Sequence, residues 1–126
     1  MSRILLVEDN PTNLELLRYL LQHRGHEVCS ATNGEDGAEM VASQRPDIVL
    51  CDLRMPRVDG YGLLERVRAD PALDEVVVVA VTAYSMPDDH RRVREAGFDG
   101  HLTKPIQPET FATQVEALIT QGRADA

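Results

Sequence analysis

Val76-Val77-Val78-Val79-Ala80-Val81-Thr82 runs through six apolar residues before its first polar one. A strand with one face in water alternates apolar and polar side chains. This stretch does not, so it predicts a strand covered on both faces, as in a parallel sheet flanked by helices. Ile4-Leu5-Leu6-Val7 and Ile48-Val49-Leu50-Cys51 are similar runs, and Glu27 to Ala31 and Gly100 to Thr103 are shorter candidates.

Helical stretches fill the intervals. Asp9-Asn10-Pro11 reads as a helix start, with a side-chain cap followed by a residue that has no N–H to lose. Leu14, Leu17, Leu20 and Leu21 recur at helical spacing until Gly25. Asn33-Gly34 turns into a second helix carrying Ala38, Met40, Val41 and Ala42. A third carries Leu63, Leu64 and Val67 and is broken at Asp70-Pro71. Pro87 to Ala96 and Pro108 to about Gly122 complete the set. Five strands alternating with five helices predict an α/β doubly wound parallel sheet.

In such sheets, ligands sit beyond the carboxyl ends of the strands, near the point where strand order reverses. Glu8 and Asp9, Asp52, Thr82 and Lys104 each fall at or just past the end of a different predicted strand. Two carboxylates ~5 Å apart repel by roughly 3 kcal/mol at an effective dielectric near 20, so the cluster calls for a cation. An all-oxygen ligand set with room for water and phosphate suits Mg²⁺. An ionised Asp52 is a candidate nucleophile toward phosphorus, with the Thr82 hydroxyl and Lys104 ammonium as phosphoryl-oxygen partners. Asp9 as a helix cap and Thr82 as an ordinary strand-ending residue are the plainer readings.

Composition narrows the alternatives. The 126 residues are 43% hydrophobic and 27% charged, ordinary for one soluble domain. A net charge of −8 argues against direct nucleic-acid binding, and no apolar stretch approaches membrane-spanning length. The start lacks a secretory signal pattern, and Cys29 and Cys51 lie inside apolar runs, which predicts free thiols in the cytoplasm. Basic character comes from twelve arginines and one lysine, Lys104. A compact ammonium on a flexible stem does what a planar guanidinium cannot.

Four pieces occur together and in order: Ile4 to Asp9, Asp52-Leu53-Arg54-Met55-Pro56-Arg57-Val58-Asp59-Gly60, Val81-Thr82-Ala83 and Thr103-Lys104-Pro105. With them the chain resembles the receiver domain of bacterial two-component response regulators along essentially its whole length. Thr82-Ala83-Tyr84-Ser85-Met86 and the chain length look most like single-domain regulators of the DivK type.

The resemblance implies a flavodoxin-like (βα)5 fold with strand order 2-1-3-4-5, residues 1–122 forming the receiver domain and 123–126 a short tail. It implies that Asp52 accepts phosphate from a sensor histidine kinase or a histidine phosphotransfer protein. Asp9 and Asp52 would ligate Mg²⁺ directly, Glu8 largely through water, and Arg54 through its backbone carbonyl. Thr82 and Lys104 would hold the phosphoryl oxygens, while the Arg54 and Tyr84 side chains would tune how easily water reaches phosphorus. Lys104-Pro105 is often cis in this family. The face made by the fourth helix, fifth strand and last helix would carry output to a downstream protein or support a phosphorylation-dependent dimer. The protein would be a phosphoacceptor rather than an enzyme acting on other substrates, without membrane insertion and without an effector domain of its own.

His101 departs from the family pattern, which places tyrosine or phenylalanine three residues before the lysine. Imidazole is smaller and polar, so a Thr82-to-His101 switch would be weaker or differently built and pH-sensitive, and a solvated surface histidine is the plainer reading. Arg91, Arg92 and Arg94 lie among Asp88, Asp89 and Glu95 as a mixed-charge helix face, and His23, His26 and His90 read as surface residues without metal-ligand spacing. A phosphate-independent pseudo-receiver and a module of a hybrid kinase or larger regulator remain as alternatives. A haloacid-dehalogenase-type phosphatase needs a second acid where Arg54 stands. A flavin binder needs a loop opposite in charge to Glu8-Asp9-Asn10-Pro11.

Overall fold

The computed structural model describes residues 2–55, 57–83 and 87–123. Its elements alternate strictly: β1 (Arg3–Val7), α1 (Pro11–His23), β2 (Glu27–Ala31), α2 (Gly34–Gln44), β3 (Ile48–Asp52), α3 (Gly60–Arg68), β4 (Val77–Thr82), α4 (Pro87–Ala96), β5 (Gly100–Thr103) and α5 (Pro108–Gln121). All strand pairs are parallel, in the order β2-β1-β3-β4-β5. This is the doubly wound parallel sheet that the alternation predicted, in the flavodoxin-like strand order that the resemblance implied.

Burial follows the sequence pattern. Every residue of β3 and β4 is buried, as the unbroken apolar runs require. Side chains alternate between two cores. Leu5, Val7, Val49, Cys51, Val78 and Ala80 face α2, α3 and α4, while Ile4, Leu6, Leu50, Val79 and Val81 face α1 and α5. Phe98 anchors the first core and Phe111 the second.

Local chemistry sets the helix ends. Asn10 Oδ1 accepts from the Thr12 and Asn13 backbone N–H groups, so Asn10 and not Asp9 caps α1. Asn33 caps α2 and Asp59 caps α3 in the same way. Asp70 caps a single 3₁₀ turn, Pro71–Leu73, which the sequence reading passed over as a mere helix break. Gly34 is required by close approach: a Cβ there would lie 1.9 Å from the Val58 carbonyl oxygen. The loop after β3 is thereby seated directly on the first turn of α2.

Strand order reverses at β1, which pairs with β2 on one side and β3 on the other. The crevice beyond the ends of β1 and β3 is where this topology places ligands.

Candidate functional site

Four strand ends meet at that crevice. Glu8 and Asp9 follow β1, Asp52 ends β3, Thr82 ends β4, and Lys104 follows β5. Hydrogen bonds hold these ends level. Leu53 N–H donates to the Val81 carbonyl at 3.2 Å, and Lys104 N–H donates to the Thr82 carbonyl at 2.8 Å. The Lys104–Pro105 peptide is cis.

Side chains then converge. One carboxylate oxygen each from Glu8, Asp9 and Asp52 lie within 4.8 Å of one another. Lys104 Nζ sits 2.7 Å from Asp52 Oδ2 and 3.3 Å from Glu8 Oε1. The remaining oxygens are held by backbone donors: Arg54 N–H reaches Asp52 Oδ1 at 3.1 Å, and Asn10 N–H reaches Glu8 Oε2 at 3.1 Å. Glu8 is only 3% exposed, Asp52 9% and Thr82 2%, whereas Asp9 is exposed.

Electrostatics reflect this crowding. Burial pushes the Glu8 carboxyl above its ordinary range, with Asp52 adding to the push, although the Asn10 N–H and Lys104 oppose it. Burial also disfavours the Lys104 charge, but the hydrogen bond and attraction of Asp52, then those of Glu8, outweigh it and hold the ammonium above the usual lysine value. Two of the three carboxylates, Glu8 and Asp52, thus share one ammonium. The donor set is all oxygen, compact and partly open through Asp9, which fits a hard cation such as Mg²⁺.

Beside Glu8 and Lys104 opens a groove of about 480 Å³, lined by Leu16, Leu17, Ala83, Pro105 and Ile106 among others. Leu16 is 40% exposed, so apolar surface borders the charged cluster on the α1 side.

Other predicted residues fall differently. The Arg54 side chain is exposed, and Tyr84 lies outside the described residues. His101 pairs in register with Ala80, and Thr82 with Thr103, so His101 and Thr82 share a sheet face two positions apart. The His101 ring is exposed and stacks on His90 of α4. The reading of His26 and His90 as surface residues is corrected. The His26 side chain is 8% exposed, taking a hydrogen bond from Ser2 N–H on one ring nitrogen and meeting Glu116 on the other. His90 Nε2 is buried. Cys29 and Cys51 are free, Cys51 buried and Cys29 partly so.

Sequence reasoning missed one polar cluster outright. Asp99, whose side chain is 1% exposed, accepts from Arg68 at 2.8 Å, Val78 N–H at 2.9 Å and Arg123 at 3.2 Å. It precedes β5 and so sits at the edge of the sheet opposite the acidic site. Arg123, at the start of the short tail, also donates to the Asp74 carbonyl. Phe98-Asp99-Gly100 gives no local sign of these partners.

The alternating parallel fold and the carboxylate cluster facing a single lysine define a class, and residues 4–116 match the response regulator receiver domain. The chain belongs to that family. The polar-differentiation response regulator DivK of Brucella anthropi is 31% identical over 116 residues, covering 92% of this chain and 94% of that protein. Among solved structures, the receiver domain of a signal transduction histidine kinase from Syntrophus aciditrophicus superposes with a TM-score of 0.85 at 33% identity, covering 96% of this chain and 92% of that one. The receiver domain of sensor histidine kinase PA1611 from Pseudomonas aeruginosa PAO1, solved with a magnesium ion coordinated in its active-site cleft, gives 0.85 at 30% identity over 94% and 98% of the two chains. Chemotaxis regulator CheY4 of Vibrio cholerae shares the fold, with a TM-score of 0.88 at 24% identity over 94% and 98%. Among the described residues, no helix is long and apolar enough to cross a membrane.

Proposed function

We propose that this receiver domain is a phosphorylation-controlled signalling switch whose phosphoacceptor is Asp52. The observation that carries the reading is the Asp52 carboxylate held between the Lys104 ammonium at 2.7 Å and the Arg54 N–H at 3.1 Å, beside Glu8 and Asp9. A carboxylate so fixed is oriented for in-line attack, and phosphoryl transfer depends mostly on positioning and charge neutralisation. As a bond forms from an Asp52 oxygen to phosphorus, the bond from phosphorus to the donor's imidazole nitrogen breaks, and the electron pair leaves with the imidazole. The donor would be a sensor histidine kinase or a histidine phosphotransfer protein.

Asp9, Asp52 and the Arg54 carbonyl would hold Mg²⁺, with Glu8 acting through water. The bound ion would supply neutralisation of the negative charge brought by the phosphoryl group. Lys104 and Thr82 would bind the phosphoryl oxygens, Lys104 giving up part of its contact with Asp52 as the carboxylate becomes an acyl phosphate. The Arg54 and Tyr84 side chains would govern access of water and hence the phosphate lifetime. The protein's only chemistry would be this self-directed transfer and its hydrolysis, carried out in the cytoplasm. Residues 1–122 would form the receiver unit, and output would pass through the face of α4, β5 and α5 to a protein partner or a second phosphorylated copy.

Incubation with acetyl phosphate, with and without Mg²⁺, followed by intact mass tests this reading. A metal-dependent gain of one phosphate that disappears in Asp52→Asn is expected. No gain in the wild type, or an equal gain in Asp52→Asn, would overturn it.

A further inference from the structure

The His90 and His101 rings join α4 to the edge strand β5, with centroids 4.1 Å apart and planes inclined by 30°. Among the described side chains of α4, Val93 alone belongs to the buried core. His90 lies three residues before it, on the same side of the helix. Among the described residues, the seam holding α4 to the sheet is therefore built on Val93 and this ring pair. Leu102 points into the core shared with α1 and α5, so the neighbouring His101 necessarily faces α4.

The surroundings disfavour charge on His101. His90 Nε2 is buried and has no hydrogen-bond partner among the described residues. Arg94, also on α4, adds a like charge nearby. From α5, the groove of about 330 Å³ beside the pair is lined by Leu118 and Gln121, which carry no charge. A second groove that His101 borders, toward the start of α5, is lined by Gln107, Thr110 and Gln114, equally uncharged. The one acid lining the groove is Asp99, whose oxygens are occupied by Arg68, Arg123 and the Val78 N–H. Among the described residues lining these two grooves, no further carboxylate stands to receive a second proton on the pair.

We propose that His90 and His101 form a proton-operated clasp between α4 and β5, closed while at least one ring is neutral and opened when acidification charges both. Two imidazolium rings in stacking contact repel, and water is the available refuge for the exposed one, His101. Burial first, then His90 and Arg94, already hold the His101 imidazole below its ordinary value of 6.5. A group depressed in the folded state favours folding above its unfolded value and loses that contribution as pH falls through the folded one. The clasp is thus shut at neutral pH and loosens on the acidic side. Its existence needs no phosphoryl chemistry. Its consequence, a proton input to the face assigned to partners, rests on the function proposed above.

The test uses the full unphosphorylated chain. Imidazole NMR titration is combined with amide hydrogen exchange of α4 across the same pH range, corrected for intrinsic rates and referenced to β1 amides as a control of global folding. Wild type is compared with His90→Gln, which breaks the stack, and His90→Phe, which keeps a flat ring without a charge. His101 is expected to titrate higher in His90→Gln than in wild type. Protection of α4 is expected to fall on acidification in wild type but to stay level in His90→Phe. An unchanged His101 titration in His90→Gln, or the same pH profile of α4 protection in wild type and His90→Phe, would overturn the clasp. Loss of β1 protection in a variant would be met by the reciprocal His101→Phe, for which the pH profile of α4 protection against wild type decides: a level profile upholds the clasp and one like wild type overturns it.

Discussion

Lys104 Nζ and Asp52 Oδ2 lie 2.7 Å apart although their strands are not neighbours: β4 runs between β3 and β5. The lysine side chain crosses the end of β4, whose Thr82 carbonyl accepts the Lys104 backbone N–H, and reaches on to Glu8 beyond. One side chain thus ties three strand ends together through charge.

Lys104→Met should cost the ion-free protein roughly 1–3 kcal/mol. Removing the partner of a largely buried carboxylate pair leaves that charge uncompensated, and the partial exposure of Lys104 moderates the penalty. Urea denaturation in the presence of a chelator measures this. A midpoint unchanged from wild type would show that the ammonium does not offset the acids.

Mg²⁺ should stabilise the fold by about 2.7 kcal/mol at one hundred times its dissociation constant. Asp9→Asn and Asp52→Asn should each reduce the effect. Burial raises the Glu8 acid above its ordinary 4.5, so in the ion-free fold its favourable contribution is complete below 4.5 and is lost as pH rises through the folded value. Glu8→Gln should therefore raise ion-free stability at neutral pH while shrinking the Mg²⁺ response. In wild type the Mg²⁺-induced rise in Tm should fade on acidification, because protons compete for Glu8. Calorimetry across pH, with and without the ion, checks both directions.

Asp99→Ala should destabilise by about 3–5 kcal/mol, since it removes the buried carboxylate that pairs with Arg68 and Arg123 and leaves the two guanidinium groups without their counter-charge. The unfolding midpoint of the variant reads this directly. A cost below 1 kcal/mol would mean the two guanidinium groups find water or other partners.

Phe111→Ala should cost about 3–5 kcal/mol, because the ring is fully buried between α5 and the sheet. Phe111→Leu, which keeps most of the volume, should cost much less. Denaturation of the two variants side by side separates lost packing from a general disturbance of α5.

The fold was legible because its strongest constraint is local. An unbroken apolar run such as Val76 to Val81 has few solutions, and caps such as Asn10 and Asp59 mark where helices begin. The site was legible because topology does the gathering: once the strands are parallel, residues at their ends meet without further information. What escaped notice depends on pairs far apart in the chain. Arg68 and Asp99 are 31 residues apart, and Asp99 and Arg123 are 24 apart, with no periodicity to advertise either. His90 and His101 escaped for the same reason, since only the docking angle of α4 brings the rings together. His26 appeared to be a surface residue because histidine is ambivalent about water, and its partners Ser2 and Glu116 come from opposite ends of the chain.

The seating of Val58 against the bare backbone of Gly34 makes the Val58-Asp59 end of the loop after β3 and the opening of α2 one interlocking part. A chimera that exchanges the segment after Asp52 with that of a relative must therefore bring the matching helix start with it. Grafted alone, the new segment would have no berth, and the carboxylate it steadies through the Arg54 amide would lose its alignment.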